Sequence, residues 1–366
     1  MADHFIAPPA LQRWVIDLFR AAGSSEHEAR LTAEHLVGAN LAGHDSHGVG
    51  MVPRYVSSLL NDELQLNQRV TIAHDAGTLV TVDGRRGIGQ SVTHQAMEIA
   101  IERARTHGVC VMGLKNSHHL GRVGHWAEQA IAAGMASIHF TNAVSNPPMV
   151  APYGGAQGRF LTNPFTVGLP RRGAEPILLD FATSAIAHGK ARVAYNKKVP
   201  VPPGSLIDVN GQPTTDPAVM FEPPEGPHGA LVPFAAHKGY ALAMVCELLG
   251  AALTGGETMH PANMQMKYAI WNNMLAIVFD LDKLGTGEAF EREARAFVAW
   301  VESARRSGAV DRIMMPGDPE RRARAARAEA VPIDSGTLAQ LDDAARQVAG
   351  RFGQSPGPLS ALERGC

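Results

Sequence analysis

Between residues 70 and 145 the chain alternates two hydrophobic periods, and this stretch constrains the fold more than any other. Thr78 to Gly84 reads as a strand ending in a turn, Gln90 to Arg105 as an amphipathic helix, Gly108 to Leu114 as a second strand and Ala136 to Thr141 as a third. Interleaving of this kind builds a sheet layered with helices, the α/β class. Pro176 to Phe181 and Leu275 to Phe279 add two further apolar strand candidates. At 366 residues the chain exceeds one ordinary core, so two or three domains are expected.

The strand-to-helix turns do not carry a usual nucleotide signature. A Rossmann fingerprint requires G-x-G-x-x-G straight after a strand, with an acidic residue about 20 positions on. Gly84-Arg85-Arg86-Gly87-Ile88-Gly89 has the wrong spacing, and Gly154-Gly155-Ala156-Gln157-Gly158 follows no convincing strand. There is no Walker P-loop. Any nucleotide bound here is held in another manner.

Charge and cysteine usage narrow the class. Thirty-three basic and 35 acidic residues give a net charge of -2 with no block of like charge, which argues against nucleic acid or a membrane surface as partner. No apolar run reaches the roughly 18 to 20 residues of a membrane span. Cys110, Cys246 and Cys366 lie far apart without C-x-x-C spacing, and the chain opens with no signal-peptide pattern. A reduced, cytoplasmic enzyme or binding protein is expected.

The ends of the chain read as helical. Leu11, Trp14, Val15, Leu18 and Phe19 share one helix face after Pro8 and Pro9; Ser25 and Glu28 have capping-box spacing for a second helix, and a third runs from Met51 to Leu60. Residues 195–236, rich in Pro and Gly, read as a surface excursion. Ala241 to Leu253 is apolar nearly all round and reads as a buried helix. A helix is expected from Glu288 to Arg305, a charged one from Arg321 to Ala328 and an amphipathic one from Ser335 to Phe352.

Four stretches collect groups able to do chemistry. Gly43 to Gly50 sets His44, Asp45, Ser46 and His47 between glycines, which suits a surface turn as well as proton handling. Asn116 to Trp126 holds His118, His119 and His125 in a strand-to-helix connection, where open α/β sheets bind ligands. Asp180 ends an apolar run; it either orients a histidine or caps the helix expected over Ala185 to Ala194. Lys238 stands near a helix start, a place suited to phosphate.

Read together, GHDSHGVGMVPRY, NSHHLGRVGHWAEQA, LTNPF, LLDFATSAIAHGK, HKGYALAMVCELLGAALTGG and PGDPE resemble the ordered motifs of the type-2 malate/L-lactate dehydrogenase family, with wording similar to its hydroxycarboxylate dehydrogenase B branch. The resemblance spans nearly the whole chain. It implies an NAD(P)-dependent oxidoreductase that interconverts 2-oxo and 2-hydroxy acids. The fold implied is a non-Rossmann nucleotide-binding domain with a mixed sheet (residues 73–315) and a helical domain built from both ends (1–72 and 316–366). A homodimer with the cofactor site near the subunit boundary is implied too. By motif, His47 is the proton donor with Ser46 and Asp180 as hydrogen-bond partners, and His119 takes a catalytic part. The implied cofactor contacts are His47, Gly121, Arg122, Val123, Leu178, Leu179, Asp180, Phe181, Ala182, His237, Lys238, Gly317, Asp318, Pro319 and Glu320. NAD is the cofactor implied by the branch, NADP the alternative, and no metal is expected.

Two positions depart from the family pattern. Met51 stands where many relatives have an arginine four places after the histidine, and Leu161 stands where glycine is common. A carboxylate calls for a guanidinium, so Arg54, Arg122 and Arg192 are the candidate replacements, and Met51 suggests room for larger apolar substrates. Three alternatives remain. One is a cyclic-imine reductase on the same scaffold. Another is a metal hydrolase using His44, His47, His118, His119 or His125, which lack an H-E-x-x-H glutamate. The third is a non-catalytic nucleotide-binding or structural protein.

Overall fold

The computed structural model describes residues 3–223, 225–308 and 310–362; Cys366 lies outside them. Strand β1 (Asp3–Ile6) leads into α1 (Pro8–Ala21), whose Leu11, Trp14, Val15, Leu18 and Phe19 are all buried as their spacing predicts. In α2 (Glu26–Leu41) Ser25 accepts the Glu28 amide, which is half of the expected capping box. The other half is absent because the buried Glu28 carboxylate is occupied by Ser24 Oγ and the Asn67 amide. Helix α3 (Val52–Leu60) follows the histidine loop.

The sheet is then assembled out of sequence order. Its members are β2 (Thr71–Ala76), β3 (Leu79–Asp83), β4 (Val109–His118), β5 (Ala136–Val144), β6 (Phe165–Leu169) and β7 (Ile177–Phe181), with α4 (Gly89–His107) before β4 and α5 (Gly124–Ala132) after it. Beyond β7 come α6 (His188–Lys197), the short strands β8 (Leu206–Ile207), β9 (Pro213–Thr214) and β10 (Ala230–Leu231), α7 (His237–Glu247) and β11 (Trp271–Phe279). The seven-stranded order is β2-β3-β4-β11-β5-β6-β7, mixed in direction, with β3 and β4 its parallel pair. Strand β4 runs on through His118, four residues past the expected end. Strand β2 escapes sequence reading because every residue of it is exposed, so it shows no apolar alternation.

Two expectations are corrected. Residues 195–236 are more than an excursion: β8, β9 and β10 form a small sheet, and Val201, Leu206, Met220 and Leu231 pack with Val150, Phe160 and Ala194. Helix α7 and the π-helical turn after it are not buried all round, since Val245, Leu248 and Leu253 lie exposed along one side. Apolar composition marked the helix but not the number of faces it buries.

The chain closes with α8 (Gly287–Glu302), α9 (Asp318–Ala326), β12 (Val331–Asp334) and α10 (Ser335–Phe352), the last capped by Asp334. Strand β12 pairs antiparallel with β1. Leu338, Leu341, Ala345 and Val348 of α10 enter one core with α1, α2 and α3. Both chain ends thus make a single helical unit beside the mixed sheet.

Several buried histidines link this packing to pH. Burial pushes His118 down to about 3, with Arg54 adding to the fall, and burial alone does the same to His139. Both stay neutral in the fold while the unfolded chain protonates them below about pH 6.5. The unfolded state therefore binds more protons as pH falls from 6.5 towards 3, and stability drops by about 1.4 kcal/mol per pH unit for each ring across that window. Urea titrations at stepped pH should show the midpoint falling below pH 6.5; a constant midpoint down to pH 4 would contradict this.

Candidate active site

The histidine loop is anchored from two sides. Asn40 at the end of α2 donates to Asp45 (2.7 Å) and accepts the Val49 amide (2.8 Å), while Arg327 grips Asp45 with two nitrogens (2.7 and 3.0 Å). His44 Nε2 lies 3.0 Å from Glu320. Asp45 and His44 therefore do the work of the turn, leaving Ser46 exposed and His47 free of the anchoring contacts. Ser46 Oγ sits 3.0 Å from His47 Nδ1. The His47 ring is half-buried and stacks on His119, centroids 5.6 Å apart and planes 18° apart.

His119 follows the last residue of β4 and is 8% exposed. Tyr55 Oη from α3 lies 2.8 Å from its Nδ1, and Gln90 from the first turn of α4 donates to that same phenol (2.9 Å). Burial is the main cause that pushes His47 down to about 4; His44 adds to the fall and Asp180 opposes it. Burial, then His47, His118 and Arg54, hold His119 well below the usual imidazole range. At neutral pH both stacked rings are uncharged.

Asp180, at the far end of β7, has partners other than those expected. Its carboxylate accepts the Gly124 amide (2.9 Å) and Thr166 Oγ1 (2.8 Å), with Arg122 Nη1 at 3.9 Å. Helix α6 begins at His188 behind Ala187, so Asp180 does not cap it. No hydrogen bond joins Asp180 to His47 among the described residues; its influence there is through charge. Close approach explains Gly124: a Cβ would fall 2.5 Å from both Asp180 Oδ2 and Arg122 Nη1.

Most of the remaining motif residues lie on β7 or against it. The Leu178 amide donates to Pro316 O (3.2 Å), and Gly317, with φ of +95°, starts α9 beside Leu178. Asp318 holds the Met315 amide and Arg321, Pro319 opens the helix, and Glu320 reaches His44. Past Phe181 and Ala182, Thr183 O accepts the Phe234 amide (3.0 Å) and the Phe181 and Phe234 rings meet at 5.2 Å. That contact sets the start of α7, with exposed His237 and Lys238, after Ala235 and Ala236, both at positive φ. Gly121, also at positive φ, lets the 121–123 turn lie on His35; Val123 is buried and Leu179 half-buried.

The three arginines separate clearly. Arg122 is 3% exposed and ion-paired to Glu128, leaving Nη1 buried without a hydrogen-bond partner. Arg192 is exposed and lies over the Phe221 ring at 4.2 Å. Arg54 is fixed by Tyr268 O (2.6 Å) and Ser145 Oγ (2.7 Å), and its charge is felt by His118, His119 and His188. Met51 packs on the terminal core, which removes the simple reason for linking it to substrate size. Sequence reading passed over Tyr55, Gln90, His188 and Glu128. Tyr55, Glu128 and His188 stand inside the quoted motifs, but neither spacing nor polarity marked their contacts. Among the described residues no group of three or more His, Cys, Asp or Glu could hold a metal ion, and no helix is long and apolar enough to cross a membrane.

A mixed sheet with no glycine-rich dinucleotide loop, carrying stacked histidines where β4 ends, defines an α/β enzyme framework outside the Rossmann class, and a solved structure superposes on nearly all of it. That structure, an Escherichia coli chain described as a malate/lactate dehydrogenase, has a TM-score of 0.91 and 47% identity over 98% of this chain and 97% of its own. The chain belongs to the malate/L-lactate dehydrogenase family, whose model matches residues 6–342, and is thus an oxidoreductase of that family. It is 48% identical to hydroxycarboxylate dehydrogenase B of Escherichia coli strain K12 over 349 residues, 95% of each chain. It is also 34% identical to a Δ1-pyrroline-2-carboxylate/Δ1-piperideine-2-carboxylate reductase of Pseudomonas syringae pv. tomato, over 83% of this chain and 86% of the relative.

Proposed function

We propose that the protein is an NAD(P)-dependent oxidoreductase interconverting 2-oxo acids and 2-hydroxy acids by hydride transfer, with His47 exchanging the proton. The observation that carries this reading is the half-buried His47 ring, stacked on His119 and held through Nδ1 by Ser46, so that Nε2 is left for a substrate. When bound, the nicotinamide supplies or accepts the hydride. His47 Nε2 gives a proton to the former carbonyl oxygen, and takes it back in the oxidative direction. The Asp180 charge favours the imidazolium, and an anionic substrate carboxylate adds to that effect, lifting the ring from about 4. Arg54 is the carboxylate partner, because Arg122 is committed to Glu128 and Arg192 to an aromatic ring.

The residues fit a dinucleotide. Buried Arg122 Nη1, 3.9 Å from Asp180, has no hydrogen-bond partner, and Lys238 is exposed at the start of α7, where the helix dipole favours an anion. The proposed contacts are His47, Gly121 to Val123, Leu178 to Ala182, His237, Lys238 and Gly317 to Glu320. The family kinship supports NAD as cofactor, with NADP as the alternative, in a cytoplasmic homodimer divided at about residues 72 and 315; sedimentation as a concentration-independent monomer would refute the dimer.

The test is NADH and NADPH oxidation by metal-free protein across phenylpyruvate, hydroxyphenylpyruvate, 2-oxoglutarate, oxaloacetate, pyruvate and piperideine-2-carboxylate. Turnover of an open-chain oxo acid is expected and identifies the cofactor. A second reading, reduction of a cyclic imine carboxylate, is supported by the 34% identical relative named for that activity; turnover of the imine alone would establish it. Silence with every substrate would sink both.

A further inference from the structure

The contacts around His119 specify which of its nitrogens carries a proton. Gly89 opens α4 against the end of β4 so closely that a Cβ would fall 2.1 Å from His119 O and 2.6 Å from His118 O. That approach places Gln90, 1% exposed, with its amide nitrogen 2.9 Å from Tyr55 Oη and 3.4 Å from His119 O. A carbonyl oxygen only accepts, so the NH2 side of the amide is the one that faces it, and the phenol oxygen receives a Gln90 hydrogen. The Tyr55 proton then has two acceptors in reach: His119 Nδ1 at 2.8 Å and His119 O at 3.5 Å. Only the first is within the usual O–H bond range.

We infer that Tyr55 and Gln90 are positioning residues that hold His119 as a neutral imidazole with its hydrogen on Nε2, so that His119 donates a hydrogen bond to substrate while His47 alone exchanges the proton. A ring accepting at Nδ1 carries its single hydrogen at Nε2. A second proton would have to sit on Nδ1, facing a phenol that already receives Gln90 and whose own hydrogen would be left with the 3.5 Å carbonyl. Apart from the neutral Tyr55 phenol, the titratable groups facing the ring are His47, His118 and Arg54, which are basic and oppose a positive charge there. Burial pushes the Tyr55 phenol above its ordinary range, which keeps its hydrogen in place. Two adjacent histidines thereby receive different tasks from their neighbours: Ser46 leaves His47 free to cycle, and the tyrosine locks His119.

The catalytic part of this inference rests on the proposed oxidoreductase reading; the tautomer is a property of the protein alone and is tested separately. Long-range 15N NMR on full-length protein labelled at histidine should show His119 as the Nε2–H form from about pH 5.5 to about 8. An Nδ1–H form or an imidazolium in that range would overturn the inference, whatever the enzyme turns over. Tyr55→Phe keeps the ring and the packing while deleting the proton donor. It should admit the Nδ1–H form, lower kcat roughly tenfold, and leave the pH midpoint assigned to His47 unmoved. Gln90→Met, which keeps the volume, should act in the same direction more weakly. Unchanged tautomer and unchanged kcat in Tyr55→Phe would refute the positioning role. A wild-type protein silent on every oxo acid would instead count against the proposed function while the NMR result stood.

Discussion

Replacing His47 with glutamine should lower kcat by about 10²- to 10⁴-fold, the range that general acid–base groups contribute, while the variant still binds cofactor through the other proposed contacts. Glutamine retains a polar amide in the Ser46–His119 setting but cannot release and recover a proton near neutral pH. Steady-state rates in both directions, with fluorescence titration of the reduced cofactor, separate the two effects. The direction of the loss is informative. A ring pushed down to about 4 is a ready base in the free enzyme, so its acid role depends on the negative charge supplied by Asp180 and by the substrate carboxylate. Wild-type-like kcat in the variant would take the proton transfer away from His47.

The second large effect is expected at Arg54. Arg54→Met should lower kcat/KM for an oxo acid by about 10²- to 10³-fold, corresponding to the roughly 3–4 kcal/mol that loss of a buried charge partner costs. Arg192→Ala should change it by no more than about threefold, because an exposed guanidinium over an aromatic face contributes roughly 0.5–1 kcal/mol. Arg54 also holds Tyr268 O and Ser145, so its replacement removes those two hydrogen bonds as well. Added guanidinium ion offers the control: partial rescue of kcat/KM in Arg54→Met marks a lost charge rather than a distorted fold. If Arg192→Ala is the damaged variant and Arg54→Met is not, the carboxylate assignment moves to α6.

The sequence made local order legible wherever one residue pattern had one physical solution. The first helix could be read because five apolar residues on one face must be buried together, and all five are. The histidine loop could be read because its side chains crowd more chemistry than a turn needs, and the ordered motifs brought its distant companions with it. Asp180 was legible as a carboxylate too costly to bury alone, yet its partners were not. Gly124 and Thr166 reach it from different elements, and pairing across a sheet leaves no local mark. The Gln90–Tyr55–His119 chain was hidden for the same reason, its members lying on three separate elements. The apolar α7 misled because composition reports affinity for a nonpolar surface and says nothing of how many faces find one.

The place of β11 has a consequence for how the molecule comes into being. It lies between β4 and β5, pairing antiparallel with both, yet its residues emerge during synthesis some way after each of them. Until Phe279 has been made, β4 and β5 lack the strand that pairs with both, and any sheet built on either would offer unpaired backbone groups along that edge. Helix α10 and β12 come later still, so the helical unit cannot close until the chain is nearly complete. The parts of the sheet that bear His119 and Asp180 are therefore joined through the last of its seven strands to be made, and the two come together only after that strand is in place.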